Sequence, residues 1–151
     1  MKRLAIALGT GLLMVTVLVA PALGAAQKVE MVPCPTELSS GCHDAAGPGG
    51  GFVVFNNSGG PNNLHVTVAL KGVTPETAYD IWLFVDQTAT GAKLGTVTTN
   101  EVGNATFHVN TAVVRGEHDL GIDVTRAGSG FDLYLSSGFY HAGMSATLTF
   151  K

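Results

Sequence analysis

From Phe52 onward the chain alternates apolar and polar residues with a period of two, and this feature limits its fold most narrowly. Leu64, Val66, Val68 and Leu70 alternate with His65, Thr67, Ala69 and Lys71. Tyr79, Ile81, Leu83 and Val85 alternate with Asp80, Trp82, Phe84 and Asp86. The same rhythm runs through Thr106–Asn110, Asp119–Thr125, Phe131–Leu135 and Ala146–Lys151. Successive side chains of a strand point to opposite faces, so each run predicts a strand with one buried face. The runs are short and separated by turn residues, such as Asn56–Pro61, Gly72–Glu76, Glu101–Asn104 and Arg115–Glu117. About eight such strands predict an all-β, antiparallel sandwich or barrel. No later segment carries a helical period, and β-branched residues and glycine are poor helix formers.

The first 26 residues have a different character. Lys2 and Arg3 precede an apolar run from Leu4 to Val19, and Pro21–Ala26 supplies a small-residue exit. This three-part layout predicts a secretory signal peptide, cleaved after Gly24 or after Ala26. The run is shorter than the roughly 20 residues needed to cross a bilayer. The expectation is a secreted or periplasmic protein with no membrane span in the mature chain. Residues 27–51 hold three prolines and the run Gly47–Gly51, and they read as an irregular arm. Within it, Lys28–Val32 could form a short edge strand, limited by Pro33 and Pro35. Residues 52–151 then form the β domain.

Charge narrows the classes of partner. The whole chain has 8 Lys and Arg against 11 Asp and Glu. Loss of the leader removes only Lys2 and Arg3, so the mature chain becomes more acidic. Its remaining basic residues are scattered, whereas a nucleic-acid surface needs them clustered. A protein or glycan partner is the expectation, and nucleic acid is not. The two cysteines, Cys34 and Cys42, predict a disulfide in an exported chain. It would close a short loop and stabilise the fold by roughly 2–3 kcal/mol on the chain-entropy account. A Cys/Cys/His site with His43 is the alternative, although no fourth ligand has the usual spacing.

Two stretches resemble known families. Leu70–Leu83, reading LKGVTPETAYDIWL, looks like the link between strands in fibronectin-type-III-like domains. Leu94–Phe107, reading LGTVTTNEVGNATF, resembles the strand–turn–strand of exported bacterial immunoglobulin-like domains. The resemblance implies an immunoglobulin-like sandwich and says little of activity, since such folds host many roles. A third stretch, Phe139–Met144, looks like the C-terminal ligand loop of cupredoxins, which implies metal ligands at His141 and Met144. A blue-copper site also needs a thiolate before the histidine. Here that place holds Ser136, Ser137 and Gly138.

The remaining candidates are weighed by their surroundings. Of the five histidines, His65 and His108 fall on the polar face of their strands, and His65 joins His141 and Met144 as a metal candidate. Glu117, Asp119 and Asp123 make an acidic strand, but no Asp-x-Asp-x-Asp-Gly loop accompanies them. No Gly-x-Ser-x-Gly elbow and no phosphate-binding glycine motif is present. Asn56-Asn57-Ser58 and Asn104-Ala105-Thr106 are glycosylation sequons. Trp82 and Phe84 alternate with the core residues and would form a contact surface unless another element covers them. The expected protein is therefore a non-enzymatic binding or structural module without a cofactor. Its rival is a cupredoxin-like metal-binding protein that lacks the cysteine ligand.

Overall fold

The computed structural model describes residues 26–33, 49–58, 60–88, 90–128, 133–137 and 145–151. The proposed leader, Cys34, Cys42, His43, His141 and Met144 lie outside the described residues. Nine strands follow one another along the chain: β1 (Gln27–Pro33), β2 (Gly50–Asn57), β3 (Leu64–Lys71), β4 (Ala78–Val85), β5 (Ala92–Thr98), β6 (Ala105–Thr111), β7 (Gly116–Arg126), β8 (Leu133–Ser137) and β9 (Ala146–Phe150). All described pairings are antiparallel. Among the described residues, no helix is long and apolar enough to cross a membrane.

The strands form two sheets around one core. In the first, β2 lies between β1 and β3, and β6 pairs with the far side of β3. In the second, β5 pairs with β4, β4 with β7, and β7 with both β8 and β9. β8 and β9 share one edge of β7. Ser137 stands opposite Ile122 and Ala146 opposite Leu120, so the line of pairing breaks and resumes within two positions.

β1 belongs to both sheets. Lys28–Met31 pair with Phe52–Val54 and Gly51 of β2, while Val32 and Pro33 pair with Ser136 and Leu135 of β8. Val29 and Met31 enter the core at 9% and 3% exposure. The short edge strand expected over Lys28–Val32 is present as Gln27–Pro33, at the edge of each sheet in turn, and the irregular arm expected over 27–51 is shortened at its other end, since β2 already starts at Gly50.

The core follows from the alternation. Leu64, Val66, Val68 and Leu70 of β3 face Tyr79, Ile81 and Leu83 of β4 and Leu120, Ile122 and Val124 of β7 in one buried cluster. Phe55 and Phe150 complete it from β2 and β9. Burying a side chain of this size is worth roughly 1.5–3 kcal/mol, so the shared core is what holds the sheets together.

The links after β3 and after β5 meet at one end of the molecule. The β3–β4 link and the β5–β6 turn are joined by Val73 N–H to Gly103 O (3.1 Å), Glu76 N–H to Asn100 O (3.2 Å) and Thr99 N–H to Thr77 O (3.0 Å). The Thr99 hydroxyl donates to Thr74 O at 2.8 Å and accepts from Thr77 N–H at 3.0 Å. Asn100 Oδ1 accepts from the N–H groups of Val102 and Asn104, which closes the turn. Gly103 completes it at φ +74°, and a Cβ there would stand 2.0 Å from Val73 O. Only glycine combines that dihedral with so close an approach.

Candidate functional site

The outward face of the second sheet is polar but largely covered. Asp80 is 8% exposed, Asp123 1% and Thr125 0%. Asp80 accepts from the Thr96 hydroxyl at 2.6 Å and pairs with Lys93 at 2.8 Å. Burial alone would raise the Asp80 pKa. The hydrogen bonds from Lys93 and Thr96, with the Lys93 charge, outweigh burial and hold the carboxyl below its usual value. The acidic strand anticipated from Glu117, Asp119 and Asp123 is therefore not one solvated face, because Asp123 is enclosed.

Trp82 and Phe84 lie on this outward side, as alternation requires, but neither is an open apolar surface. Phe84 is 8% exposed. The chain after β4 turns back over its ring, and a Cβ on Gly91 would come within 2.6 Å of Phe84 Cζ. Trp82 is half-buried, and its indole N–H donates to Thr125 Oγ1 at 3.0 Å. The glycine that allows the loop to lie flat is the only trace of this cover in the sequence.

A carboxylate–imidazole pair sits where the end of β4 meets the start of β7. Asp86, at φ +54°, places Oδ2 2.7 Å from His118 Nδ1 and accepts from Asp119 N–H through Oδ1 at 3.0 Å. The opposite nitrogen, His118 Nε2, lies 3.1 Å from the carbonyl oxygen of Val114. The ring also packs obliquely on Phe150, with centroids 6.1 Å apart. Thr147 donates to Asp119 Oδ1 at 2.7 Å and ties β9 to the same corner. The His118 hydrogen bond first, and the Asp119 N–H second, hold Asp86 below the usual carboxylate range. A general base must present a free nitrogen to the proton that it takes. Both nitrogens of His118 are already directed at acceptors, so this pair acts as a staple between elements.

The outward face of the first sheet carries its exposed chemistry differently. Its rows run Asn56–His65–Asn110, Val54–Thr67–His108 and Phe52–Ala69–Thr106 across β2, β3 and β6. Lys28 Nζ stands 4.3 Å from the centroid of Phe52, and Lys71 Nζ stands 5.3 Å from it. Such contacts favour a cation over an aromatic face. Lys28 also pairs with Glu30. Lys71 has no carboxylate partner among the described residues. On a chain of net charge −3 this is a cationic exception. Thr67 Oγ1 and His108 Nδ1 are 3.0 Å apart, and His65 lies diagonally across from His108. Sequence reasoning placed both histidines outward but did not bring them together, because that depends on strand register.

An open depression of about 450 Å³ lies beside the joined turns, lined by Glu76 and Thr98–Val102. Its two carboxylates are exposed, and its one enclosed side chain, Thr99, already commits its hydroxyl to Thr74 O and Thr77 N–H. No group of three or more His, Cys, Asp or Glu side chains able to hold a metal occurs among the described residues. Of the metal candidates, His65 is half-buried on the first sheet, while His141 and Met144 lie outside the described residues. No protein-family model, curated protein or solved structure matches this chain.

Proposed function

We propose that this chain is an exported, non-enzymatic sandwich of the immunoglobulin type that binds an acidic glycan on the outward face of its first sheet. The strand order supports the fold type. β2-β3-β6 in one sheet and β5-β4-β7-β9 in the other place sequence neighbours β3 and β4 on opposite sheets, as immunoglobulin-type crossings do. β1 is an addition to that frame.

The observation that carries the binding role is the contrast between the two outward faces. On the second sheet Asp80 and Asp123 are enclosed, Lys93 is paired with Asp80, and the imidazole is a staple. On the first, Lys28 and Lys71 flank Phe52 beside a field of hydroxyl, carboxamide and imidazole groups. Little apolar area is available there for a protein anchor, which favours a hydroxylated, anionic partner. The test is retention of the mature protein on immobilised polygalacturonate, with cellulose as the neutral control. Retention on polygalacturonate should fall with rising salt and fall at least fivefold in Lys28→Glu/Lys71→Glu. Equal retention of that variant, or equal retention on cellulose, overturns the reading. Selective capture of an acidic protein in place of the polysaccharide would reassign the partner.

A further inference from the structure

The register of β3 against β6 creates a pair of histidines that belongs to neither strand alone. His65 stands opposite Asn110, and Thr67 stands opposite His108. His65 and His108 thus occupy diagonal positions on the outward face. Diagonal positions in an antiparallel pair stand about 7–8 Å apart, within reach of aromatic side chains. Two imidazoles at that separation can converge on one ion between them. The inward neighbours Leu64, Val66 and Val68 are fixed in the core, which holds β3 in place beneath the pair. His65 is half-buried and His108 exposed, so both rings are accessible from solvent.

The second observation concerns the orientation of His108. Its Nδ1 lies 3.0 Å from Thr67 Oγ1, in the next position along the same face. When Nδ1–H donates to that hydroxyl, the lone pair resides on Nε2 and is left available to a ligand. Metal-ligating histidines commonly have their second nitrogen held in this way, which fixes the tautomer and the ring. Thr67 is in that sense a positioning residue. Asn56 and Asn110 flank His65 in its own row.

We propose that His65 and His108 form a two-imidazole site for a divalent transition-metal ion. Cu²⁺ would be held most tightly, as the order of stability for nitrogen ligands dictates. With two protein ligands the ion keeps open positions for water or for a group from another molecule. The site is therefore one of exchangeable, micromolar binding rather than a closed structural centre. This inference shares its imidazoles with the glycan face but needs neither lysine nor Phe52, so Lys28→Glu/Lys71→Glu tests the glycan reading while leaving both histidines in place. It also differs from the cupredoxin reading, whose ligands are His141 and Met144.

The experiment is a Cu²⁺ titration of the mature protein, followed by calorimetry and by electron paramagnetic resonance. The double variant His65→Asn/His108→Asn corrects for copper held elsewhere on the chain. The expected result is one micromolar equivalent absent from the double variant, with a spectrum showing two imidazole nitrogens. Either single variant should bind at least tenfold more weakly and show one nitrogen fewer. Thr67→Val should weaken binding several-fold while preserving both nitrogens. Metal-free melting temperatures should be nearly unchanged in the single variants, which separates loss of a ligand from loss of the fold. A double variant that binds copper as the native protein does would overturn the proposal. So would a spectrum with a single imidazole nitrogen in the native protein.

Discussion

Asn63 offers a sharp test of how the loops are held. Its side chain is 7% exposed and grips one residue of the β6–β7 connection twice. Nδ2 donates to Val113 O at 2.8 Å, and Oδ1 accepts from Val113 N–H at 2.8 Å. Val113 is itself buried at 8% exposure. Asn63→Ala removes both partners and leaves a backbone donor and a backbone acceptor enclosed. Each such loss costs roughly 1–3 kcal/mol, so the pair should cost about 2–6 kcal/mol. Urea unfolding followed by circular dichroism measures this directly. With a slope of about 1–3 kcal/mol per molar, the midpoint should fall by at least about 0.7 M. Asn63→Asp adds a pH signature. At neutral pH its second oxygen faces Val113 O without a proton, so the loss should be larger at pH 7 than at pH 4. A midpoint lowered by less than about 0.3 M in Asn63→Ala, with unchanged slope, would refute the two-bond account.

Gly103→Ala should destabilise the β5–β6 turn by about 1–3 kcal/mol through backbone strain, read as a lowered urea midpoint; an unchanged midpoint would contradict the contact with Val73 O. Phe84→Ala should cost on the order of 3 kcal/mol, and a cost near zero would mean that the β4–β5 loop does not cover the ring. The folded-state pKa of Asp86 lies below its unfolded value, so its contribution is present above the unfolded pKa, near 3.8. That contribution is lost as pH falls through the folded value. The stability difference between native protein and Asp86→Asn should therefore shrink below about pH 4, and a constant difference from pH 6 to 3 would argue against the pairing. Unreduced mass spectrometry of the protein recovered from its native host should find Cys34 and Cys42 bonded to each other, and two free thiols would end that expectation.

Periodicity made much of the fold legible. Alternation alone assigned Leu64, Val66, Val68, Ile81, Leu83, Leu120 and Ile122 to the core. It failed where burial comes from elements remote in sequence. Phe84 and Asp123 point away from the core and are nonetheless enclosed at 8% and 1% exposure. The strand at Lys28–Val32 is legible between the leader and the prolines, but its division between two sheets is not, because such a division leaves no pattern in one short segment. The candidate sites were harder still. His65 and His108 each appear as isolated polar-face residues, and their adjacency exists only in the β3–β6 register. His118 likewise gave no sign of Asp86, which reaches it through two residues of positive φ at the end of β4.

The outward face of the first sheet is the proposed place of contact. Amide chemical shifts of the isotopically labelled mature protein, recorded during titration with soluble oligogalacturonate, test this directly. The prediction is that the largest changes cluster at Lys28, Phe52, Thr67, Lys71 and Thr106 and disappear in Lys28→Glu/Lys71→Glu. Changes confined to the second sheet around Trp82 and Asp80, or none at millimolar ligand, would contradict it.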